Sequence, residues 1–98
     1  MKTIKPKNEL MTLKNVGPAT YQDLIKLSIT NIADLAKADP DELYIRIQEI
    51  TKQKHDPCAW DVFAAIIHEA KTGIKEPWWQ WTAVRKDRQR QGAWVKID

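Results

Sequence analysis

The sequence predicts an all-α protein of four to five short helices. Three observations carry that prediction. No stretch alternates polar and apolar residues with β-branched enrichment, so strand signals are scarce. Helix starts recur with their own markers, Asp39-Pro40 and Asp56-Pro57 foremost. Behind each start, apolar residues fall at helical spacing. The chain has 98 residues, enough for one core without disulfides. With 43% hydrophobic and 30% charged residues, and only 3 Gly and 5 Pro, a folded chain is expected and a low-complexity one is excluded.

Residues 8–13 form a short possible helix with Leu10 and Leu13 at i, i+3. Gly17 is expected at positive φ, and Pro18 suits the first position of the next helix, so Gly17→Ala should lower stability as well as binding. That helix runs to about Leu27, with Tyr21, Leu24 and Ile25 on one face. Asn31 caps a third segment anchored by Ile32 and Leu35. Asp39 is the N-cap of a fourth, with Pro40 at its first position, acids complementing the dipole, and Leu43, Ile47 and Ile50 on one stripe. Asp56-Pro57 repeats the device, followed by Ala59, Val62, Phe63, Ile66 and Ala70 and a plausible glycine cap at Gly73. Two regions follow: residues 1–76 as the helical domain, and residues 77–98 as an irregular, Trp-rich, basic tail packed on it, extended or with one short helix.

Charge is unevenly placed. Residues 1–14 carry +3, residues 15–70 carry −4 and residues 71–98 carry +4, for a net +3. Basic ends hold phosphates by counterion release, and they also simply keep a chain soluble. The longest apolar run, residues 62–67, is too short to span a membrane. No apolar core follows the N-terminal lysines, so no secretory signal is expected. One cysteine, Cys58, forms no internal disulfide, and a cytoplasmic location fits.

Leu13-Lys14-Asn15-Val16-Gly17-Pro18, set between two helical patterns, looks like a helix-hairpin-helix. A tight hairpin of this kind exposes backbone N–H groups at the start of its second helix. Those amides and the helix dipole hold a phosphate without reading bases. Lys14, Asn15, Val16, Gly17, Ala19 and Thr20 are therefore the candidate DNA-phosphate residues. Asn15 replaces the usual first glycine and is expected to keep the turn because Asn tolerates the left-handed region.

The whole chain resembles the pathogenicity-locus family of small bacterial helix-hairpin-helix proteins, often labelled mitomycin resistance proteins. The matching residues are Leu13 to Ala19, Asp23-Leu24, Leu27-Ser28-Ile29, Asp39-Pro40 with Leu43-Tyr44, Asp56-Pro57-Cys58 with Asp61-Val62-Phe63, and Pro77-Trp78-Trp79 with Arg85-Lys86. Ser28 stands where a Gly is commoner in that family. The resemblance implies an all-helical, SAM-like fold, nucleic-acid binding and a link to DNA damage.

Trp78, Trp79 and Trp81 beside Arg85, Lys86, Arg88 and Arg90 invite a nucleic-acid surface. Against that, a small core needs the area that indoles bury, so at least two of the three are expected to clip the tail onto the helices. Arg85, Lys86, Arg88 and Arg90 then remain as a phosphate-facing arm. His55 and Cys58 have ligand-like spacing, but His68 lies about 15 Å further along one helix and on its polar face with Asp61, so no metal site is expected. Cys58 lies in a first turn, where the dipole favours thiolate, yet no base is placed to activate it. The acids sit at helix starts for dipole reasons, and no nucleotide loop or nucleophile motif occurs. Neither an enzyme nor a cofactor is expected. The functional expectation is a DNA-binding module, weak and without sequence preference. The alternative is a SAM-like protein-interaction or self-association module, suggested by the acidic middle of the chain.

Overall fold

A computed structural model describes residues 9–92. Lys2, Lys5 and Lys7 lie outside the described residues. A 3-10 turn, Glu9–Thr12, precedes five helices: α1 (Pro18–Lys26), α2 (Ile32–Ala36), α3 (Pro40–Thr51), α4 (Cys58–Thr72) and α5 (Gln80–Arg90). The all-helical expectation holds, with no strand among the described residues.

Local chemistry explains most helix starts. Asn31 Oδ1 accepts from the Asp34 N–H, and Glu9 reaches across to accept from the Ile32 N–H at 2.7 Å, so α2 is capped twice. Asp39 Oδ1 accepts from the Asp41 N–H, with Pro40 at the first position of α3. Asp56 Oδ1 likewise accepts from the Cys58 N–H. Two ends turn left-handed, at Lys52 and at Gly73. Ser28 also sits at φ 64°, which accounts for a glycine being the easier residue there.

Helix α4 is the axis. Helices α2, α3 and α5 all pack on it. Its apolar stripe meets Leu24, Leu35, Leu43 and Ile47 in a continuous core that includes Trp60, Phe63 and Ile66. The loop between α3 and α4 is tied down by α3 itself. Tyr44 Oη donates to the His55 carbonyl at 2.8 Å, Gln48 Oε1 accepts from the His55 N–H, and Thr51 Oγ1 meets the His55 ring. Ile25 and Ile50, expected inward, are 40% and 46% exposed, because neither faces α4.

The one short helix expected in the tail is present and long. Residues 80–90 form α5, and what orders them is polar. Asp61, fully buried on α4, accepts from Arg85 Nε at 2.8 Å and from Thr82 Oγ1 at 2.6 Å. One turn further on, Arg88 donates twice to the Asp41 carboxylate, at 2.8 and 3.0 Å, and its guanidinium lies 5.4 Å from the Trp60 ring centre. Asp41 also accepts from the Trp60 indole N–H at 2.7 Å. Trp81 packs against the core and Trp78 is half-buried, whereas Trp79 is 61% exposed. The face of α4 that carries Asp61 and Glu69 is therefore interior, not solvated.

Two outcomes follow from these ties. Asp61→Asn leaves the buried Arg85 guanidinium without its counter-charge and should cost about 3–5 kcal/mol in urea unfolding. Replacing both Asp61 and Arg85 by apolar residues should recover most of that loss, and an unchanged midpoint for Asp61→Asn would contradict the assignment. Burial pushes the Asp41 carboxyl up, but the hydrogen bonds from Arg88 and Trp60 and the Arg88 charge outweigh it and hold it below the usual range. The stabilisation is thus complete above about pH 4 and lost as pH falls through the lowered value. Asp41→Asn should lower Tm near neutrality, with the deficit shrinking as melts are repeated toward about pH 3.

Candidate functional site

The segment between the 3-10 turn and α1 is a tight turn pinned from three sides. Leu13 and Val16 bury into the core, and the Val16 N–H donates to the Leu13 carbonyl at 3.3 Å. The Lys14 N–H donates to Glu69 Oε1 at 3.0 Å. Glu69 is itself buried in the last turns of α4, and its second oxygen pairs with Lys75 Nζ at 2.8 Å. Asn15 bridges to the chain after α4: its Nδ2 donates to the Glu76 carbonyl at 2.7 Å and its Oδ1 accepts from the Trp78 N–H at 3.2 Å.

This geometry corrects the expectation for the turn. Asn15 is not among the positive-φ residues, and Gly17 is extended, with φ −97° and ψ −175°. Asn15 is useful here for its side-chain amide, which has a donor and an acceptor to give to two backbone groups. Gly17 is the N-cap of α1, and a methyl placed on it would meet no atom within 4 Å.

The start of α1 differs from those of α2 and α3. No side chain caps it, and its first turn holds no acid. Among the described residues, the N–H groups of Asn15, Gly17, Ala19 and Thr20 have no hydrogen-bond partner, whereas those of Lys14 and Val16 are engaged internally. The side chain of Lys14 is exposed, as are Gly17 and Ala19, and Thr20 is half-buried. Four of the six predicted residues thus bring free donors to one helix end, and Lys14 adds a cation beside them.

The basic tail is arranged differently from its expectation. Arg85 points inward to Asp61, and Arg88 to Asp41. Arg90 pairs with Asp87 on the surface at 2.8 Å, and Lys86 is exposed. The helical phase of α5 causes this, since positions 85 and 88 share the face that packs on α4. Of the four predicted tail cations, Lys86 and Arg90 keep their charge at the surface.

Cys58 accepts no activation. A hydrogen bond to the Asp56 carboxylate, then burial, pushes its thiol up from the ordinary value, against the dipole expectation. The Cys58 N–H, and then the thiol, hold the Asp56 carboxyl below its ordinary value by hydrogen bonding to it. His55 serves the loop, and His68 lies 3.6 Å from Glu76 and beside the Trp81 ring. No group of three or more His, Cys, Asp and Glu side chains suited to a metal ion occurs among the described residues. No helix among them is long and apolar enough to cross a membrane. Glu69, which fixes Lys14, went unremarked in the sequence. Its signal was its place eight positions after Asp61, on the same side of α4.

Fold and site together define a small all-helical protein that presents a helix start without a side-chain cap from a braced turn. The chain belongs to the pathogenicity-locus family, whose profile matches residues 3–87. It is 37% identical over 79 residues to a protein of Streptomyces lavendulae named mitomycin resistance protein McrB, a match covering 81% of this chain and 75% of that protein. No solved structure matches the chain.

Because Gly17 is neither left-handed nor crowded, Gly17→Ala should move stability by less than about 1 kcal/mol, a Tm change under roughly 8 °C. A larger fall in a thermal melt would show that the turn needs glycine for its conformation.

Proposed function

We propose that the protein is a non-enzymatic DNA-binding protein of the helix-hairpin-helix type, working in the cytoplasm without sequence preference. The observation that carries this is the start of α1, with its unpartnered amides, its missing side-chain cap and its acid-free first turn. One DNA phosphate would sit against the N–H groups of Gly17, Ala19 and Thr20, with Asn15 and Lys14 at its edge. The glycine at position 17 would keep a Cβ out of the approach. Lys86 and Arg90 would take further phosphates, while Arg85 and Arg88 hold the fold. Backbone donors and lysines bind phosphate and read no bases. Similarity to a protein named for mitomycin resistance supports a link to damaged DNA, because mitomycin cross-links DNA.

A second reading has its own support. Arg85, Arg88 and Arg90 each face a carboxylate, which weakens the positive field the sequence suggested. That favours a SAM-like module, whose acids not spent on the tail, exposed Glu42 and Glu49 among them, receive a basic protein or a second copy.

A salt titration against a short labelled duplex and the matching single strand separates the two. Two or three phosphate contacts give an affinity loss of about ten- to fortyfold between about 50 and 200 mM salt. Ala19→Asp should abolish binding without unfolding the protein, because an acid in the first turn suits the dipole but repels phosphate. No binding at low salt, or unchanged binding by Ala19→Asp, would sink the DNA reading and turn the search to protein partners.

A further inference from the structure

A groove of about 280 Å³ runs along the seam between α4 and α5. Its floor is Trp60 and Ala64, and its walls are His68, Trp81 and Val84. A second cleft of similar size continues it past His68, Trp81 and Val84 toward Glu76 and Gln80. Trp60 and Ala64 lie four apart on α4, and Trp81 and Val84 three apart on α5, so two facing helical stripes make one trough.

Two features give this trough a chemistry. Its walls are flat and aromatic, with the His68 and Trp81 ring centres 5.4 Å apart and tilted by 57°. Its charge is one-sided. Lys71 stands exposed at the rim with no carboxylate partner among the described residues, while Arg88, at the other end beside Trp60, is already paired with Asp41. The acid that reaches the trough, Glu76, already faces His68.

We infer that the α4–α5 groove binds a small planar aromatic molecule carrying a carboxylate or similar anionic oxygen. The ring body lies against Trp81 and His68, where stacking and area burial hold it. The anionic end faces Lys71. Val84, 42% exposed on the open side, sets the width of the trough. The site lies apart from the start of α1, and the inference does not rest on DNA binding.

The test is an NMR titration of the ¹⁵N-labelled protein with 2-naphthoate, reading the indole N–H signals of its five tryptophans. Saturable shifts of the Trp60 and Trp81 signals, with Trp79 unmoved, are expected. Lys71→Glu should weaken binding roughly five- to tenfold, and Val84→Trp should block it. Both positions are exposed, so these variants keep the fold. Four results would overturn the inference: no saturable shift at millimolar probe, equal shifts at Trp79 from loose surface stacking, equal affinity for the neutral 2-naphthamide, or the same shifts on concentrating the protein alone, which would assign the groove to a second copy.

Discussion

The fold depends on a carboxylate with no water around it. Asp61 sits on the central helix at zero exposure, and an isolated charge there would be prohibitively costly. It is tolerated because Arg85 and Thr82 come to it. That requirement places α5 against α4, sets the phase of α5, and turns position 88 toward Asp41. Once α5 is seated, Trp81 closes over the core and the second polar side of α4 becomes interior. A pair of this kind adds little net stability over an apolar substitute, but it admits one arrangement of two helices and penalises others.

The legible and illegible parts of the sequence divide along the same line. Starts of α2, α3 and α4 were readable because their signals are local: an Asn or Asp and its target N–H lie two or three residues apart. The extent of helix α5 was not. Its ordering contacts come from Asp61, 21 and 24 positions earlier, and from Asp41, 47 positions earlier. A run of Arg and Lys with no apolar stripe reads as a solvated arm until those acids are placed. The turn before α1 was legible as a turn, and its apolar pair Leu13 and Val16 is buried. How it is held was not legible. Asn15 was credited with backbone tolerance, when its work is done by a side chain bonded to residues 61 and 63 positions away. Glu69 escaped notice because a lone acid on a helix normally faces water.

Net charge proved a poor guide to field. The three arginines of the tail each meet an acid of the chain itself, two of them from the acidic middle. The uneven charge distribution therefore describes partners within the fold as much as an outer surface. What remains outward at the hairpin is a set of backbone donors, which no composition count records. The family's profile spans residues 3–87, so it takes in both acids and the Trp78 backbone that Asn15 holds.

The bond between Asn15 and residues 76–78 also has a consequence for how the protein comes into being. A chain is made from its N-terminus, so residues 13–17 leave the ribosome long before Glu76 and Trp78 exist. Until then Asn15 has no partner for its amide, and Lys14 has no Glu69. The hairpin is among the first pieces synthesised and among the last secured. A nascent or truncated chain would carry the residues of the site without its shape, and the shape arrives only with the C-terminal third.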